Sequence, residues 1–97
     1  MKDIRAAPVI SHSPAFRVQH NLDQTARLVR QAADLGASVV CFPEMNITGY
    51  DNSPEIRETA QTVPGPASDR LSQVAAVEKM VILAGMAEKD SGSNQLI

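Results

Sequence analysis

The chain has 97 residues, room for one domain with a single modest core, because a chain of this size buries only about 60–65% of the surface its unfolded form exposes. Its formal net charge of −2, with Lys and Arg scattered rather than striped, leaves no electrostatic footprint for nucleic acid or an anionic membrane. No apolar run reaches the ~18 residues of a membrane span; one cysteine, Cys41, allows no internal disulfide, and nothing at the start reads as a cleavable signal, so a reducing, cytoplasmic setting is expected.

Residues Ile4 to Ile10 alternate weakly and include β-branched side chains, which predicts a first strand, with Pro8 arguing against a fully paired central position. Ser11 to Ala15 reads as a loop. Leu22, Ala26, Val29 and Ala33 then recur on one helical face. Asn21 can cap that helix, with Gln24 in the position of a capping box, and the start could equally fall a few residues earlier, at Phe16 or Val18. Gly36 is the natural left-handed stop, and Ala37 to Phe42 follows as a buried strand. Tyr50 to Thr62 is polar and irregular, and Pro54 is placed to open one or two helical turns through Ala60. Val63 to Pro66 turns the chain into a second helix whose apolar face carries Leu71, Val74 and Ala75, with Glu78 on the same side. Met80 to Ala87 reads as a third strand, Lys89 to Asn94 as a hairpin turn, and Gln95 to Ile97 as the opening of a fourth strand. The class is α/β, in β-α-β-α-β order. Parallel sheets need both faces covered, so either a partner covers this one or the 97 residues are part of a larger domain.

Phe42-Pro43-Glu44 places a carboxylate where the apolar second strand ends, since Pro43 removes a ladder N–H and turns the chain out of the sheet. Ligands of open α/β sheets bind outside the carboxyl ends of the strands. Glu44, set between Phe42, Met45 and Ile47, is expected to be partly desolvated, which suits a general base. Cys41 lies inside the strand and alternation points it away from Glu44, so a buried structural thiol is the expected reading. Tyr50, a candidate substrate-binding residue, either packs or hydrogen-bonds near the mouth of a pocket or covers the loop as a rim aromatic. Gly49 is expected to serve backbone geometry. Glu88 ends the third strand and could share the Glu44 end of the sheet, as a candidate substrate-binding residue in a supporting or structural role rather than in direct catalysis. His12 could overlook the same crevice but is expected to be solvated; His20 has no evident partner, and Lys79 and Lys89 are expected to be solvated. No Cys and His ligand cluster supports a metal, and no Gly-rich loop follows the first strand to cradle a cofactor's phosphates, so neither metal nor cofactor is expected.

Taken together, the Ala-rich first strand, Asn21 in an early helix, Ala33, Gly36 and Ala37, the run into Phe42-Pro43-Glu44, Gly49-Tyr50, Gly65-Pro66, and Gly85 with Glu88 resemble the N-terminal part of the nitrilase, or carbon–nitrogen hydrolase, superfamily. The most specific piece is the block from Phe42 to Tyr50. The resemblance implies the N-terminal portion of a four-layer αββα sandwich and hydrolysis of a nonpeptide C–N bond in a small amide, carbamoyl or nitrile substrate. Members use a Glu, Lys, Cys triad, and Glu44 matches its general base. Neither Cys41 nor any lysine here matches the other two members. On this reading residues 1–97 are a partial domain that stops before the catalytic Lys and Cys, inactive alone, within a longer protein for which a homo-oligomer is implied. The rival expectation is a non-catalytic, truncated α/β interaction module that uses its open sheet.

Overall fold

A computed structural model describes residues 4–51, 53–93 and 95–96. Its elements follow in the order β1 (Ala6–Pro8), α1 (Val18–Asp34), β2 (Val39–Cys41), a short 3-10 helix (Pro54–Glu58), α2 (Pro66–Glu78) and β3 (Val81–Leu83). The expected β-α-β-α-β order is borne out, with the 3-10 turn opened by Pro54. The strands form one parallel sheet in the order β1-β2-β3. Ala6, Val39 and Val81 share one register row, and Pro8, Cys41 and Leu83 another. Successive crossovers of one hand place both helices on the same side of the sheet. There Val29 and Ala32 of α1 pack with Val40 and Met80, flanked by Ala7, Ile82 and Val74.

The opposite face carries Ala6, Pro8, Val39, Cys41, Val81 and Leu83. Its outer members are exposed, Val81 by 55% and Leu83 by 54%, so among the described residues this is one α layer on one sheet. Two such layers are half of the αββα arrangement. Pro8 sits on the edge strand, as its chemistry demands. The N–H groups directed at β2 belong to alternate residues, since Val39 N donates to Arg5 O and Val9 N to Cys41 O. The nitrogen of Pro8 therefore faces away from β2, and its missing proton costs the ladder nothing.

Helix α1 ends as its sequence predicts. Gly36 takes φ +85°, Gly36 N donates to Ala33 O and Ala37 N to Ala32 O, the paired bonds of a Schellman stop. Of the starts left open by the sequence the helix takes Val18, with Arg17 in the cap position, and Asn21 lies inside the first turn rather than capping it. Asn21 is instead buried, along with Leu22, Thr25, Val29 and Ala32. The inward face is thus turned slightly from the predicted stripe, and Ala26 and Ala33 are only half-buried. In α2, Ser68 Oγ accepts the Gly65 N–H at 2.8 Å, fixing the first turn after the Val63–Pro66 bend. All three strands are shorter than their sequence patterns, and β3 stops at Leu83. Past it, Glu88 makes a parallel bridge to Gln61, and Lys89 an antiparallel one to Leu96, so the expected hairpin after Lys89 is present. Asn52 of the polar loop, and Asn94 and Ile97 of the expected turn and fourth strand, lie outside the described residues. Among the described residues no helix is long and apolar enough to cross a membrane.

Candidate active site

Where β2 meets Pro43 the ladder with β3 breaks in a specific way. Phe42 N still donates to Leu83 O at 2.9 Å. Two residues further along each strand, a regular parallel ladder would pair Glu44 N with Gly85 O. Instead Ile47 N takes Gly85 O at 3.0 Å, so the segment Pro43–Asn46 loops out of the sheet and carries Glu44 with it. Met45, next in the chain, is left-handed at φ +60°, a conformation that costs a non-glycine residue of order 1 kcal/mol and persists only where surroundings impose it.

The surroundings are a set of buried polar side chains. Asn21, Asn46 and Thr48 are at most 2% exposed. Asn21 Nδ2 donates to Pro14 O at 2.9 Å and to Ile47 O at 3.0 Å. Asn46 Nδ2 donates to Thr25 Oγ1 at 3.0 Å, and that hydroxyl donates to Asn21 O at 2.7 Å. Asn46 Oδ1 accepts from Gly85 N at 3.1 Å, and Thr48 Oγ1 from Ala87 N at 3.0 Å. Gly49 closes the segment at φ +81°, its Cα facing the backbone of Pro14 and Ala15 with no room for a side chain. Burial of so many polar groups is tolerable because nearly all are paired; Asn21 Oδ1 has no partner in the described structure. Ile47, fully buried, packs with Leu22 and Ala67 beneath the loop.

The looped-out segment forms one wall of a crevice of about 230 Å³, lined by Ser11, His12, Ser13, Pro43, Glu44, Met45, Asn46 and Tyr50. Glu44 thus stands at the carboxyl end of the central strand and faces the loop that follows β1. The expected desolvation of its carboxylate is not met: Glu44 is exposed, because Met45 turns toward Ile56, Ala60 and Ala87 and Ile47 turns into the core. The neighbours that looked like a wrapping in sequence point elsewhere. His12 and Tyr50 both reach the crevice, and both are exposed, Tyr50 by 67%. Glu88 is half-buried beside Gln61 and is not among the crevice residues. Cys41 is half-buried on the far face of the sheet, also outside the crevice. Lys79 is exposed at the end of α2, whereas Lys89 is half-buried. Among the described residues no group of three or more His, Cys, Asp or Glu is placed to hold a metal ion.

Sequence patterning gave no role to Thr25, Asn46 or Thr48, and took Gly85 only as part of the family resemblance. One signal was available: Asn21 and Thr25 sit four apart on the side of α1 that also carries Val29, and polar residues on a core-facing stripe must find partners.

The sequence profile of the carbon-nitrogen hydrolase family matches residues 5–96. The bifunctional nitrilase/nitrile hydratase NIT4B of Lupinus angustifolius is 33% identical over 105 aligned positions, covering 90% of this chain and 30% of the relative. Among solved structures, the fold matches XC1258 from Xanthomonas campestris, a CN-hydrolase superfamily protein, with a TM-score of 0.81 at 22% identity, over 95% of this chain and 34% of that one. It also matches a double mutant of the amidase from Nesterenkonia sp. AN1 in complex with acrylamide, with a TM-score of 0.76 at 18% identity, over 97% and 40% of the two chains. The chain thus spans about 30% of its curated relative's length. A profile matched along nearly every residue, and a loop that lifts Phe42-Pro43-Glu44 out of a parallel sheet, lead to one assignment: the chain belongs to the carbon–nitrogen hydrolase family of the nitrilase superfamily.

Proposed function

We propose that this chain supplies the general-base side of an active site that hydrolyses a nonpeptide C–N bond in a small amide, carbamoyl or nitrile compound. Glu44 is the base of a Glu, Lys, Cys triad whose lysine and cysteine come from outside these 97 residues. The observation that carries the reading is the position of Glu44, displaced from the end of the central strand into a crevice with polar walls. In an amide reaction the carboxylate takes the thiol proton as sulfur attacks the carbonyl carbon. The C–N bond breaks with a proton delivered to nitrogen, ammonia leaves, and a thioester remains. Glu44 then takes a proton from water as its oxygen attacks the thioester, releasing the acid and restoring the thiol. The lysine stabilises the charge that develops on the carbonyl oxygen.

The chain by itself is inactive on this reading. Ammonia release from small amides or nitriles by the purified chain, abolished by Glu44→Gln, would overturn that statement. In an active protein that carries this segment, Glu44→Gln should lower turnover by at least about 10²-fold, the usual worth of a positioned base. Because the Glu44 carboxylate is exposed, circular dichroism of that variant should match the wild type. Retained turnover would remove Glu44 from the chemistry.

A further inference from the structure

We propose that Asn46 is the positioning residue for Glu44, its side-chain amide substituting for the strand pairing that the loop abandons; the catalytic half of the statement rests on Glu44 being the base. In a regular ladder Gly85 N would donate to Phe42 O. Here it donates to Asn46 Oδ1 at 3.1 Å, while Gly85 O is taken by Ile47 N at 3.0 Å. Both hydrogen-bonding groups of Gly85 are therefore committed to the far end of the excursion, one to a side chain and one to the main chain. The other end of the Asn46 amide is tied through Thr25 Oγ1 to Asn21 O on α1. One planar amide thus joins the segment after β3 to the first helix, with Glu44 two residues before it.

Among the described residues the exposed Glu44 carboxylate has no ion pair or hydrogen bond, so its placement follows the path of its backbone. That backbone is left-handed at Met45, and its return to the sheet depends on Asn46. A leucine or alanine at position 46 would leave Gly85 N and Thr25 Oγ1 without these buried partners and remove the tie between the helix and the strand end.

The test uses the 97-residue chain labelled for NMR. In the wild type the Asn46 side-chain amide should exchange with solvent about tenfold more slowly than the exposed Gln95 amide, and Met45 should show the couplings and carbon shifts of a positive-φ residue. Asn46→Ala and Thr25→Val should each displace the Met45 signature and the Gly85 amide resonance while Val40 and Ile82 stay in place. Thr25→Ser keeps the hydroxyl and should restore the wild-type spectrum, which a general packing role would not predict. Fast exchange of the Asn46 amide in the wild type overturns the proposal even if both variants fail to fold. So does a positive-φ Met45 that survives in folded Asn46→Ala. These readings are independent of chemistry: turnover retained by Glu44→Gln defeats the base assignment and leaves the spectra unchanged.

Discussion

Replacing Gly85 by alanine would set a methyl carbon 2.8 Å from Met45 N and 3.6 Å from both Cα and C of Glu44. Ordinary contact begins at 3.4 Å, so the two segments must part by about 0.6 Å, the difference between 3.4 and 2.8 Å. The gap is spanned by Gly85 N to Asn46 Oδ1 at 3.1 Å and Ile47 N to Gly85 O at 3.0 Å. Opening both by that amount takes them to roughly 3.6–3.7 Å, beyond useful hydrogen bonding. Two net hydrogen bonds at about 1 kcal/mol each give a loss of about 2 kcal/mol, the same size as the ~1–3 kcal/mol cost of overpacking if the segments refuse to part. For a domain of this length that lowers Tm by roughly 8–16 °C. Thermal unfolding followed by circular dichroism reads the change. Gly92→Ala is the control, because the nearest atom to its new methyl is Asp90 Oδ2 at 3.3 Å, the end of an exposed side chain. A Gly85→Ala protein that melts within about 2 °C of the wild type, well under the shift expected for 1 kcal/mol, would refute the close approach and the clamp built on it.

Asn21→Ala removes the donors to Pro14 O and Ile47 O and should cost about 2–4 kcal/mol in urea unfolding, since two carbonyls lose a partner at a buried site; a loss below ~0.5 kcal/mol would contradict the role given to this amide. Arg70→Ala should be nearly silent. Its 3.1 Å pair with Asp23 joins side chains 36% and 49% exposed, so the expected change is under ~0.5 kcal/mol and shrinks further in salt.

Elements whose ends are set by local chemistry were legible in the sequence. Gly36 stops α1, Pro54 opens the 3-10 turn, and Pro8 marks an edge, each because the residue restricts its own backbone. The position of Glu44 at the end of β2 was legible for the same reason, through Pro43. Its exposure was not, because where Met45 and Ile47 point depends on a left-handed residue and on partners twenty to forty positions away in α1 and after β3. The sequence left the start of α1 open between Asn21 and the earlier Val18, and the choice of Val18 rests on the same ground. An asparagine at the start of a helix satisfies the cap rule, but here its amide does more for the chain by joining two distant carbonyls. The strands are shorter than their apolar runs because pairing needs a neighbour in register, and the excursion at Pro43–Asn46 removes β3's neighbour just past Leu83.

The placement of Pro8 has a consequence for any strand that pairs with β1 on its outer side. Its ring nitrogen occupies an outward hydrogen-bonding position of β1, so a strand laid against that border would meet one missing donor. Among the described residues the only other border is β3. The β3 border carries no proline within Val81–Leu83. The two borders of the described sheet are therefore unequal hydrogen-bonding partners, with β1 the poorer in donors.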